Sequence, residues 1–220
     1  MNTQRQENFS FENQIESTTI VNKFNKATPS ERELEWDKSK TLSSKSDVKG
    51  NILYANEAFI DVCGYDDYEL INQPHSLLRH PDMPKVIFKL LWENLQKENG
   101  YNVVLKNMSK TGRFYWVVND IKCNKDTTGN ISFIGQQKSI SSDIVTNHIE
   151  PLYKKLLQIE TAAGLQSSEN YLIGFLEEKN KTFSQYIDSL VFNINLDEED
   201  LTGNSKSKKG FFSGFFADKK

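Results

Sequence analysis

Between Lys40 and Ile140 the chain breaks into short strand-like runs divided by turn-forming residues, and this punctuation limits the folds open to it more than any other feature. The runs TLSSKSD and NILYAN flank Val48-Lys49-Gly50, which reads as a hairpin reversal. EAFIDVCGY follows as a short helix that Gly64 can end, since glycine accepts the left-handed cap conformation. After the irregular stretch from Gln73 to Asp82, PKVIFKLLWENLQKENG reads as the longest helix of the region, with Pro84 suited to its first turn and Gly100 to its stop. YNVVLKNMS, RFYWVVNDIKC and NISFIGQQKSI then form three strands, separated by Ser109 to Gly112 and by Asn124 to Gly129. Two strands, helices, then three strands predict an α+β fold in which helices cross one face of a five-stranded antiparallel sheet.

The flanks have a different character. Residues 1 to about 28 are rich in Asn, Gln, Thr and Ser and read as a flexible lead, because little apolar surface is available to offset the entropy of ordering. Pro29-Ser30-Glu31-Arg32-Glu33 has the Ser-x-x-Glu form of a capping box and predicts a short cap helix carrying Leu34 and Trp36, with Trp36 as its packing anchor. Beyond residue 141, Ile149, Leu152, Leu156, Ile159 and Ala163 form one helical stripe, and Leu172, Phe175, Phe183, Ile187, Leu190 and Ile194 form another. Two helices joined near Gly164 make a hairpin whose stripes can close on each other, on the preceding domain, or on a second copy. The domain boundaries that follow are 1–37, 38–140, 141–196 and a charged, Phe-rich tail at 197–220.

A chain of 220 residues suits one core with attachments. A net charge of -3 supplies no cationic field to collect nucleic acid. Cys63 and Cys123 have neither zinc-ligand spacing nor a disulfide framework, which fits a reducing compartment. No apolar run approaches bilayer-spanning length and the N-terminus lacks a secretory pattern, so the expected location is cytoplasmic.

The segment from Thr41 to Ile140 resembles the PAS domain of bacterial aerotaxis receptors, through Tyr54-Ala55-Asn56, Gly64-Tyr65, Gln73-Pro74-His75, Arg79-His80-Pro81-Asp82-Met83-Pro84, Phe88, Trp92, Lys106-Asn107 and Gly112 with Tyr115-Trp116-Val117. The resemblance implies a PAS fold followed by the C-terminal helical hairpin, and FAD held noncovalently. It also implies a flavin pocket that involves Asn56, His75, Arg79, His80, Asp82, Phe88, Trp92 and Asn107. Aerotaxis receptors continue into a membrane anchor and a signalling coiled coil; this chain carries neither, so the expected output passes to a separate membrane-bound chemotaxis transducer that lacks its own sensor, with a homodimer as a further partner.

The residues have their own chemistry beside the resemblance. A flavin ring needs a flat apolar slot, polar groups for its pyrimidine edge, and charge for its phosphates. Phe88 and Trp92 stand four apart on one helical face, either as a pocket wall or as core aromatics. Asn107 shares strand register with Tyr101, Val103 and Leu105, which turns its amide inward. Arg79 suits phosphate, while Asp82 serves the site or merely caps the Pro84 helix. For His75 and His80 the rival role is haem ligation, and Cys63 reads as a small core residue. No nucleophile and base set or phosphate loop stands out, so no enzyme activity is expected. The reading is a redox or oxygen sensor for aerotaxis or energy taxis; the alternative is a cofactor-free PAS adaptor. In the tail, Phe211, Phe212, Phe215 and Phe216 among lysines read as a docking motif, a peripheral membrane anchor, or an inert end.

Overall fold

The computed structural model of the chain describes residues 27–192. The expected flexible lead, apart from residues 27 and 28, and the tail at 197–220 lie outside the described residues. The helices and strands begin with β1 (Leu42–Ser46) and β2 (Ile52–Ala55), and the chain then crosses the sheet through α1 (Glu57–Cys63), α2 (Asp67–Leu70), a 3-10 turn (His75–Leu78) and α3 (Lys85–Leu95). It returns through β3 (Tyr101–Met108), β4 (Phe114–Lys125) and β5 (Ile131–Ser139). The sheet order is β2-β1-β5-β4-β3 with every neighbour antiparallel. The last strand is therefore central, between β1 and β4.

Local chemistry explains most of the elements. Asp47 Oδ1 accepts from the amides of Lys49 and Asn51, both at 2.8 Å, and Gly50 takes a positive φ of 80°, which closes the β1–β2 hairpin. Asn56 caps α1 by accepting from Phe59 N at 3.0 Å, and Gly64 ends that helix at φ 72°. α3 stops at Leu95, short of Gly100, and the left-handed residue beyond it is Glu98 at φ 57°.

The cap helix expected after Pro29 does not form. Ser30 Oγ accepts from Arg32 N, two residues on, and the backbone instead lies beside the start of β4. Ser30 N donates to Gly112 O at 2.9 Å and Leu34 N to Phe114 O at 2.7 Å, so amides a helix would need internally are taken by the sheet. A Cβ at Gly112 would collide with the Thr28 carbonyl, which explains glycine at this close approach.

The C-terminal region also departs from a two-helix hairpin. A turn at Ser142–Ile144 and a π-helical turn at Val145–Ile149 run into α4 (Glu150–Ala163), followed by α5 (Leu165–Glu178) and a separate α6 (Phe183–Phe192). The wide gap in the second apolar stripe is a real break. Asn180 takes φ 50°, and Thr182 and Gln185 exchange capping bonds of 2.8 and 3.3 Å. Two of the three surfaces open to these stripes are used. The helices close on one another, with Ser168 Oγ donating to Leu156 O at 3.1 Å and Phe175 meeting Tyr186 edge-on at 5.3 Å, and they close on the domain as well. Tyr153 of α4 is buried and donates to Val104 O at 2.7 Å, and Phe183 of α6 stacks on Tyr101 at 6.2 Å. Helices thus flank both faces of the sheet: α1 to α3 the inner face and α4 the outer, while α6 runs along the β3 edge, where Ser184 Oγ accepts from Asn102 N at 3.1 Å and Asp188 accepts from Asn102 Nδ2 at 2.6 Å.

Candidate functional site

Strand alternation decides which side chains share a site. Leu105 and Asn107 of β3 face inward toward α3, whereas Lys106 between them faces outward toward α4. The expected binding residues are consequently divided among three places.

The inner place is a cavity of about 80 Å³ that Trp92, His75 and Asn107 line together. Its floor is a row of amides. Asn107 Nδ2 donates to Gln137 Oε1 at 3.3 Å, and Asn119, paired in register with Gln137, lies alongside. These three are 7%, 2% and 6% exposed. The Asn119 Oδ1 is buried without a hydrogen-bond partner, an arrangement that costs about 1–3 kcal/mol unless a ligand donor meets it. Gly135 leaves space for that amide, since a Cβ there would stand 3.1 Å from Asn119 Oδ1. Aromatic walls complete the chamber: Trp92 meets Phe133 edge-on at 6.1 Å, and His75 meets Phe59 in the same way at 6.1 Å. His75 Nε2 lies 3.5 Å from Ser44 Oγ, and burial pulls the imidazole pKa down to about 4, so the ring is neutral near pH 7. The floor and walls offer hydrogen bonds without charge, which suits a flat neutral ring with a donor and acceptor edge.

The second place adjoins the first. The Arg79 guanidinium carbon lies 3.6 Å from the centroid of Phe88, and burial lowers the guanidinium pKa to about 10, leaving it cationic at neutral pH. An isolated backbone bridge joins Arg79 to Asn107. Phe88 thus supports Arg79, and the residues of α3 that line the cavity are Leu91, Trp92 and Leu95.

The third place is an open groove of about 460 Å³ between the outer sheet face and α4, where Asp82 lies with Lys106, Trp116 and Tyr153. Lys106 Nζ is 2.5 Å from Asp82 Oδ2, which is 3.4 Å from His80 Nδ1. Burial opposes ionisation of Asp82, yet the Lys106 hydrogen bond and charge outweigh it and keep the carboxyl below its usual range. Lys106 also stands over the Phe114 ring at 4.6 Å. The alternative role for Asp82, capping α3, is filled by another residue: Glu160 of α4 accepts from Lys85 N at 3.0 Å and Val86 N at 2.8 Å.

Asn56 stands apart from all three. Its Oδ1 accepts from Ser43 N and Phe59 N, both at 3.0 Å, and its Nδ2 donates to Thr41 O at 2.9 Å, which ties β1 to α1. Cys63 is fully buried, and burial raises its thiol pKa to about 11, in keeping with a core residue. Asn119, Gln137 and Gly135 did not emerge from the sequence. The available signal was an amide within the alternating apolar run Tyr115, Val117, Asn119, Ile121, which gains meaning only once β4 and β5 are paired. Among the described residues no cluster of His, Cys, Asp and Glu could hold a metal ion, and no helix is long and apolar enough to cross a membrane.

Comparison with known proteins bears on the same segment. Residues 52–135 match a family model described as the PAS fold. The chain is 38% identical over 117 residues to the aerotaxis receptor of Escherichia coli (strain K12), a match that covers 53% of this chain and 23% of the receptor. It is 31% identical over 99 residues to the nitrogen fixation regulatory protein of Klebsiella oxytoca, covering 44% and 20% of the two chains. These matches span less than a quarter of either relative. A solved light-oxygen-voltage domain, studied with a flavin analogue, superposes with a TM-score of 0.46 at 22% identity over 53% of this chain and 90% of that one. The strand order and the match over residues 52–135 together give the sheet with α1 to α3 a PAS fold, and this segment is similar in sequence to part of the aerotaxis receptor.

Proposed function

We propose that the inner cavity holds the ring of a flavin, FAD in the full cofactor, and that the protein is a redox sensor for aerotaxis or energy taxis without catalysis of its own. The carrying observation is the amide floor, above all the unpartnered Asn119 Oδ1. Asn107, Asn119 and Gln137 would meet the pyrimidine edge, Trp92 and Leu91 would cover the ring, and Arg79 supplies charge near the cavity for a phosphate. Bound there, FAD would supply a redox couple whose ring edge changes protonation with electron uptake. The resident residues need only respond through different contacts in the two states, since a ligand shifts an equilibrium by its differential interaction. Output would pass through α4 to α6 to a separate membrane-bound chemotaxis transducer, a reading in keeping with the similarity to an aerotaxis receptor.

One observation favours a second reading. At about 80 Å³ the cavity lies below the roughly 300–1,000 Å³ of ordinary small-molecule sites, as expected of a cofactor-free adaptor. A flavin therefore requires a wall to move outward. Purification without added cofactor separates the two: yellow protein that releases FAD on denaturation supports the sensor, and colourless protein that takes up no FAD on reconstitution defeats it. A Soret band would assign the cavity to haem and would equally defeat it.

A further inference from the structure

α3 has two working edges. Leu91, Trp92 and Leu95 form the wall of the inner cavity, while Lys85, Val86 and Lys89, earlier on the same helix, grip the C-terminal helices. Pro84 occupies the N-cap position and has no side-chain acceptor, so the first amides of α3 are met from α4, by both oxygens of Glu160. A carboxylate at a helix start gains from the hydrogen bonds and from the helix dipole together. One turn on, Lys89 Nζ lies 2.6 and 2.5 Å from the two carboxylate oxygens of Glu169 on α5. Those side chains are 23% and 12% exposed, so solvent screens the pair less than a surface one.

We propose that α3 transmits the filling state of the inner cavity to the C-terminal helices, with Glu160 and Glu169 as the latch that keeps α4 and α5 docked. The inference rests on the reading of that cavity as a ligand site. The cavity floor is sheet, with β4 bonded along both edges, whereas the facing walls are α3 and the His75–Leu78 turn, and of these two α3 is the one bonded to α4 and α5. Widening therefore displaces the helix, and the displacement acts on grips at its other edge. Hydrogen bonds weaken steeply with distance and angle, so a small tilt of α3 loosens Glu160 first. Freed of Glu160 and Glu169, α4 and α5 lose their ties to the wall and become available to a partner.

Hydrogen exchange of the full chain in a variant cycle tests this, with no flavin in any arm. E160A combined with K89M removes the latch; W92L alters the cavity wall; the third variant carries all three changes. The latch variant should raise exchange of α4 and α5 amides about fivefold or more while leaving β4 amides protected. W92L should change α4 and α5 exchange in the natural background and add nothing once the latch is gone. E160Q keeps one acceptor and should fall between, which serves if E160A lowers protection of β4. Unchanged α4 and α5 protection in the latch variant, or an equal W92L effect in both backgrounds, would overturn the proposal. Failure to bind FAD would defeat the flavin reading and leave this cycle interpretable.

Discussion

The two faces of the sheet are built on opposite physical terms. The inner face holds an uncharged amide floor under aromatic walls in about 80 Å³, and the outer face opens a groove of about 460 Å³ in which Lys106 and Asp82 pair beneath α4, with His80 Nδ1 3.4 Å from the same carboxylate. A neutral, buried floor favours recognition of a flat ligand through hydrogen bonds, because desolvation penalises charge there. An ion pair with one partner half exposed contributes little to such recognition and more to the docking of a helix. Residues that stand together in the string from Arg79 to Pro84 are thus parted in space, with the β3 alternation of Lys106 and Asn107 marking the division.

Replacements on each face can break this contrast, and the largest effect belongs inside. Trp92→Ala should lose most of the flavin and cost about 3–5 kcal/mol in denaturant unfolding, since it opens a cavity and removes aromatic packing. Retained flavin in a folded W92A protein would show that Trp92 is not the wall.

The next effect is in pH. His75 has its folded pKa lowered to about 4 against 6.5 when unfolded, so the unfolded state binds the proton more readily in between. Stability from this group is full above about pH 6.5 and is lost as pH falls toward 4, by at most about 3 kcal/mol. Unfolding free energies across that range should flatten in H75Q, and an unchanged slope would place the titration elsewhere.

The smallest effect belongs to the outer face. Asp82→Asn keeps an acceptor for Lys106 at a side chain 58% exposed and should cost less than about 1 kcal/mol, with flavin content unchanged. Loss of flavin in D82N would extend the binding site across the sheet and erase the distinction.

What the sequence showed clearly was whatever local chemistry decides. The Val48 to Gly50 turn, the Gly64 stop and the five strands all carry their signals within a few residues. Ser30 misleads for the complementary reason: its capping pattern is sound, but β4 offers the same amides a better-placed partner. The site was half visible. Trp92, His75 and Asn107 came with the family resemblance and converge, while Gln137 and Asn119 required the β4–β5 register. Glu160 was beyond any local reading, since it meets Lys85 across 75 residues of chain.

The most direct measurement is FAD affinity, by fluorescence quenching, of the natural protein against N119L and K106M. Asn119→Leu replaces the unpartnered inner amide with an apolar side chain of similar size, and Lys106→Met removes the outer charge. The account predicts that N119L weakens FAD binding by at least about tenfold, the worth of one buried hydrogen bond, while its flavin-free form is as stable as the natural protein or more so, and that K106M binds as the natural protein does. Equal affinity in N119L, or a loss confined to K106M, would contradict the assignment of the inner face as the sensor.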